Sequence, residues 1–208
     1  MGVLPIAVRN VAGAGEGLAA PCNESRTMGS ISSLKRNVSK EDAVRQFTSP
    51  GFGTLYWRIC NGPLQRIAEV YVPFFLYRVR YDIGGATRTR VFAIDAVYGS
   101  LDLFEFPRVP EERQLCTVET RNHLRSSLSP ARAEELLRDK VMRVVFQQGF
   151  FKVRKPNVEL ARQSIDVHLP YWLALYGTEV VRCRVMDAVR RRIEGAKASA
   201  FFEDWLAA

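Results

Sequence analysis

The sequence predicts an α+β fold built from two tandem units, each a helix followed by an antiparallel sheet, with the helices packed on the sheets. Two internal matches predict the repetition. The tetrad Val72-Pro73-Phe74-Phe75 returns as Leu169-Pro170-Tyr171-Trp172, each leading into an apolar run that ends on an aromatic, Tyr77 or Tyr176. Downstream, the stretches 90–97 and 181–189 both contain Asp-Ala-Val. A helix candidate precedes each copy, and the spacing of about 95 residues is too long for a solenoid repeat.

The chain has 208 residues, 47% of them hydrophobic, enough to bury a core in one large domain or two small ones. Residues 1–38 carry an Ala/Gly-rich run without sustained periodicity and read as a disordered segment. The first repeat is placed at 39–110. The second, at 111–208, adds a C-terminal helix, and the two are expected to share one core.

The first helix starts at Ser39, whose hydroxyl can cap a free amide, with Asp42 three residues on, and runs to Phe47. β-rich runs follow at 54–59, 67–81, 87–97 and 101–106. The second helix starts at Ser129 with Pro130 in its first turn. It aligns Ala133, Leu136, Leu137, Val141, Val144 and Val145 on one face and stops at Gly149. Strands are then expected at 150–154, 158–163, 166–176 and 179–188, and a last helix at 196–206. Gly84-Gly85 and Gly177 mark hairpin turns. Pro73 and Pro170 each lack a backbone donor, which places their strands at an edge or a bulge.

Composition excludes several classes. Cys22, Cys60, Cys116 and Cys183 lie far apart, and His123 and His168 are the only histidines, so no clustered metal site is expected, and no cofactor. The longest apolar stretches, such as 70–77, fall far short of the roughly 20 residues that span a bilayer. The N-terminus lacks the continuous apolar block of a secretory signal, and the chain reads as cytoplasmic with reduced thiols.

Tyr77-x-Val79, the Gly84-Gly85 turn and Val91-Phe92-Ala93-Ile94-Asp95-Ala96-x-x-Gly99 together resemble the PepSY family. In that pattern a helix precedes a hairpin whose valine-rich strand ends in Asp-Ala and a turn glycine. The resemblance covers roughly 60 residues of the first copy and implies a PepSY/cystatin-like arrangement and a link to the cell envelope, peptidase propeptides and inhibition. In the second copy Arg191 stands where Gly99 would fall. There is no H-E-x-x-H motif.

Three sets of residues are candidates for chemistry. Asp95 and Asp187 occupy equivalent places, as an acid–base pair or as caps of their turns; the turn role is the expected one. His168, Cys183 and Asp187 would form a nucleophile, base and orienting acid if 166–176 pairs with 179–188 and brings them together. No residue is assigned a catalytic role. For binding, Arg78 with Arg80, Arg88 with Arg90, and Arg182 with Arg184 each share a strand face, and a register setting Arg80 opposite Arg88 would cluster four cations for an anion or nucleic acid. Phe74, Phe75, Tyr171 and Trp172 cannot all point into one core, because adjacent strand residues face opposite ways. The ring left over is covered by a neighbouring helix, a second subunit or an apolar ligand. The function expected is a non-enzymatic module that binds a protein or peptide at this aromatic sheet edge; the alternatives are an Arg-face anion binder and a small Cys/His hydrolase.

Overall fold

A computed structural model describes residues 28–83, 86–147, 158–177 and 181–207. In chain order the elements are β1 (Gly29–Leu34), α1 (Lys40–Thr48), α2 (Phe52–Asn61), β2 (Leu64–Ile83), β3 (Ala86–Asp95) and β4 (Phe104–Phe106). A 3₁₀ turn at Glu112–Gln114 leads to β5 (Leu115–Thr120), α3 (Pro130–Gln147), β6 (Val158–Tyr176), β7 (Arg182–Asp187), β8 (Arg192–Ile193) and α4 (Ala196–Ala207). The fold is α+β: helices pack on a single mixed sheet that curls, rather than on two sheets.

β2 and β6, 20 and 19 residues long, run antiparallel through the middle. At the centre Val72 lies across from Leu169, flanked by the pairs Tyr71–Pro170 and Pro73–His168. The C-terminal half of β2 folds back into β3, with Phe74 opposite Asp95, and the C-terminal half of β6 folds back into β7, with Tyr171 opposite Asp187. β1 and β5 form an antiparallel ribbon. Ser33 of β1 bridges His168 of β6, and His123, just past β5, bridges Tyr71 of β2. The path from β2 through β6, β1 and β5 therefore returns to β2.

Pro73 and Pro170 sit in the two central strands, not at an edge. In a strand a residue's N–H and C=O point to the same side, so the donor each proline lacks would face the carbonyl of the residue opposite. Those residues are Ala96, whose N–H donates to the Pro73 carbonyl at 2.8 Å, and Ala188, whose N–H donates to the Pro170 carbonyl at 3.1 Å. Their own carbonyls accept elsewhere, Ala96 from the Ser127 and Leu128 amides at 3.0 and 2.9 Å and Ala188 from the Asn37 amide at 2.8 Å. Neither acceptor is orphaned, and the usual objection to a central-strand proline does not arise.

Strand alternation divides the core. Val70, Val72, Phe74, Leu169, Tyr171 and Leu173 pack with Phe201, Phe202 and Leu206 of α4 on one face. On the other face, Ala133, Leu137, Val141 and Val145 of α3 cover Phe75, Tyr77, Val79, Phe92 and Ile94 of the β2–β3 hairpin. Beside them Ala43 and Phe47 of α1 and Trp57 of α2 cover Trp172, Ala174, Tyr176 and Met186 of the β6–β7 hairpin. Each hairpin is thus covered by the helical segment that precedes the other.

The helix starts follow the sequence: Ser39 Oγ accepts from Asp42 N at 3.1 Å, and Ser129 Oγ from Arg132 N at 3.3 Å. Other expectations are corrected. β1 lies inside the segment read as disordered, and 54–59 belongs to helix α2 rather than to a strand. The stretches 158–163 and 166–176 are one strand with an irregularity opposite Phe75 and Tyr77. The expected strand at 150–154 falls outside the described residues.

Candidate functional site

Asp95 and Asp187 are both buried and both close the turn that follows them. Asp95 Oδ1 accepts from the Tyr98 and Gly99 amides at 2.9 and 2.8 Å, and Oδ2 from Leu101 N at 2.8 Å. Asp187 Oδ1 accepts from the Val189 and Arg190 amides, each at 2.8 Å. Its Oδ2 has no hydrogen-bond partner among the described residues, and Arg190 Nε stands 3.7 Å from it. Burial raises the Asp187 carboxyl above its ordinary range, against the opposing pull of those two amides. Four residues after each aspartate the backbone turns left-handed, with φ of 64° at Gly99 and 59° at Arg191. Both carboxylates thus take the turn role, as anchors for their own backbone.

The proposed nucleophile, base and acid are not brought together. Cys183 lies across from Leu175, seven residues along β6 from His168, a separation of roughly 23 Å at about 3.3 Å per residue. The two side chains also leave opposite faces. Cys183 Sγ donates to the Ser199 carbonyl at 3.4 Å, and burial, with Glu203 nearby, pushes its thiol up to about 12. A thiol so disfavoured as an anion is a poor nucleophile.

Nor do the arginines converge. The hairpin register sets Arg80 opposite Thr89 and Arg88 opposite Tyr81. This one-residue difference sends Arg78 and Arg80 to one face and Arg88 and Arg90 to the other. Arg90 is ion-paired with Glu105, and Arg182 reaches Glu203 at 2.9 Å. Arg184 is half-buried against α2, donating to Thr54 Oγ1 at 3.3 Å with its guanidinium 5.9 Å from the Phe47 and Trp57 rings.

The four aromatic candidates are all buried. Tyr171 packs against Phe202 at 5.5 Å between ring centres, Arg162 lies 4.3 Å over the Phe75 ring, and Trp172 Nε1 donates to the Val38 carbonyl at 3.1 Å. Phe74 lies in the core beneath α4. The expected exposed aromatic edge is absent at these residues because the sheet is covered on both faces there.

Among the described residues, the exposed apolar side chains gather on α2. Thr54 and Trp57 turn inward, whereas Leu55, Tyr56 and Ile59 are 55%, 67% and 75% exposed. Beside them an open groove of about 410 Å³ runs between the end of α1 and α2, lined by Thr48, Pro50, Gly51, Thr54, Leu55 and Arg58. Arg58 is the helix's one charged residue. The spacing 52, 55, 56, 59 is a helical stripe already visible in the sequence; its β-prone composition hid it.

Among the described residues there is no group of three or more His, Cys, Asp or Glu able to hold a metal ion, and no helix is long and apolar enough to cross a membrane. Comparisons with protein-family models, with curated proteins and with solved structures find no match to this chain.

Proposed function

We propose that the chain is a non-enzymatic protein-binding module whose contact surface is the outward face of α2. The observation that carries this reading is the exposure of Leu55, Tyr56 and Ile59 on successive turns of one helix. Apolar side chains grouped on one exposed face mark interaction sites when an open groove adjoins them. The chain's net charge of +8 and the cation Arg58 at the groove favour an acidic partner, one presenting the apolar side of an amphipathic helix.

Beneath this surface we read two copies of a helix-plus-hairpin unit in the PepSY-like arrangement. The equivalence of Val72 with Leu169, of the Pro73 and Pro170 carbonyl contacts, and of Gly99 with Arg191 in φ supports that reading. The swapped helices, each covering the other hairpin, are consistent with it.

The test is an affinity capture from nuclease-treated and untreated lysate at two salt concentrations, comparing the chain with a Leu55→Ser/Tyr56→Ser/Ile59→Ser variant. The expected result is a partner retained at high salt and after nuclease, lost at least tenfold in the variant, while the variant's melting temperature stays unchanged. Nucleic acid released by salt, a partner the variant keeps, or self-association alone would each overturn it.

A further inference from the structure

The chain's only two histidines, 45 positions apart, meet with ring centres 6.4 Å apart and planes inclined at 81°. They meet where the β1–β5 ribbon seats on the central strands. His168, on β6, points Nδ1 at the Ser32 carbonyl of β1 at 3.2 Å. His123, just past β5, points Nδ1 at the Thr120 carbonyl at 3.1 Å. Its ring lies against β1 so closely that a Cβ placed on Gly29 would stand 2.6 Å from Cε1. Both imidazoles face carbonyl oxygens, so each neutral ring holds its proton on Nδ1 and presents an unprotonated Nε2.

Beyond the burial of Ile31 and Leu34, the ribbon's hydrogen-bonded attachments to the central strands are few among the described residues. β1 joins β6 in register through the single pair Ser33–His168, where Ser33 Oγ donates to the His168 carbonyl at 3.1 Å. The segment past β5 joins β2 through Tyr71 N to the Asn122 carbonyl and Leu124 N to the Tyr71 carbonyl, both 2.9 Å. Both attachments lie beside a histidine.

We infer that the His123–His168 pair is a pH-sensitive latch, which holds the β1–β5 ribbon on β2 and β6 while both rings are neutral and releases it when they are protonated. Two imidazolium charges at this spacing in a half-buried site repel, and each loses water on burial. The charged and titratable neighbours are few. Asp166, two residues before His168, favours its charge but is shared with Arg162 at 3.4 Å, and His123 opposes it. From β1, His168 meets the Ser32 carbonyl. On β2 the same sheet face carries Tyr71 and then Glu69, whose charge is taken by Arg36 at 2.9 Å. Desolvation is the largest influence on His168 and lowers its proton affinity, in the direction the latch requires. A ring whose affinity falls on folding supports the closed state above its unfolded value of 6.5. That support is lost as pH drops from there through the lowered folded value.

The test is backbone amide exchange on the full chain between pH 7.5 and 5, corrected for intrinsic rates, in the wild type and in His123→Asn/His168→Asn. The asparagine amide nitrogen stands where Nδ1 stood, so it keeps an N–H donor for each carbonyl but does not titrate. In the wild type, protection of β1 and β5 amides such as Ile31 and Val118 is expected to fall about fivefold or more, the lower end of a coupling between two sites, while Leu137 and Val141 in α3 hold. In the double variant the ribbon's protection is expected to be flat. Equal loss throughout the molecule, no loss, or loss persisting in the double variant would overturn the latch. Should that variant not fold, imidazole Cε1–H titration of His168 in the wild type and in His123→Asn decides: the latch requires His168 to titrate below 6.5 and to move when His123 is replaced, and titration at or above 6.5 or without response removes it.

Discussion

Val72 on β2 stands directly across from Leu169 on β6, both without solvent exposure, and each is followed by a proline whose carbonyl is held by the alanine of an Asp-Ala turn. This pair is the centre from which both hairpins diverge, and truncating it opens a cavity flanked by both. Leu169→Ala is expected to cost about 3 kcal/mol and Val72→Ala about 2 kcal/mol in urea unfolding. The double variant should depart from additivity, because the two cavities merge.

The two buried aspartates should respond differently to amidation. Asp95 satisfies three amides with two oxygens, so Asp95→Asn, which aims a donor at one of them, is expected to cost about 2 kcal/mol. Among the described residues Asp187 has one oxygen without a hydrogen bond, with Arg190 Nε 3.7 Å away, and a carboxyl raised from 3.8 by burial, so Asp187→Asn should be neutral or stabilising at pH 7. A raised acid binds its proton more tightly in the folded state, and the wild type regains stability as pH falls through the folded value toward 3.8. The variant's advantage should therefore shrink between pH 7 and pH 4 in parallel denaturation curves.

The left-handed turn positions give a second contrast. A Cβ at Gly99 would lie 2.5 Å from Leu136 Cδ1, on a backbone with φ of 64°, so Gly99→Ala should cost about 2 kcal/mol. Arg191→Gly relieves about 1 kcal/mol of left-handed strain but removes the donation from Arg191 Nε to the Asn37 carbonyl at 2.8 Å. Its thermal midpoint should stay within a few degrees of the wild type.

Thiol labelling should follow burial. Cys60 is exposed on α2, and Cys183 is buried with its proton held up to about 12. Alkylation of the folded chain at pH 8 is expected to modify Cys60 within minutes and to leave Cys183 unmodified until denaturant is added, as read by peptide mass spectrometry.

Much of the fold was legible where local chemistry decides it. Ser39 and Ser129 announce their helices, the Asp-Ala turns announce the hairpin ends, and α4 falls where its apolar pattern lies. Failures came where tertiary context prevails. Thr54, Tyr56, Trp57 and Ile59 are β-prone types that packing holds in a helix. Ser30, Ser32 and Ser33 look like linker, yet β1 is held by its pairing with β5 and by burial of Ile31 and Leu34. The arginine cluster failed on a single step of register, which composition does not encode. Pro73 and Pro170 read as edge or bulge markers because their central position depends on the Ser127, Leu128 and Asn37 amides, distant in sequence, which satisfy the Ala96 and Ala188 carbonyls that face them.

The exchange of cover between hairpins bears on how the chain emerges during synthesis. The apolar sides of α1 and α2 find their seat on Trp172, Tyr176 and Met186, and α3 sits on a hairpin made earlier. A ribosome that has released only the first hundred or so residues has therefore exposed two helices with no floor and one hairpin with no roof. Folding waits on β6 and β7, a long-range closure that slows it and leaves nascent chains dependent on whatever shields apolar surface until those strands emerge.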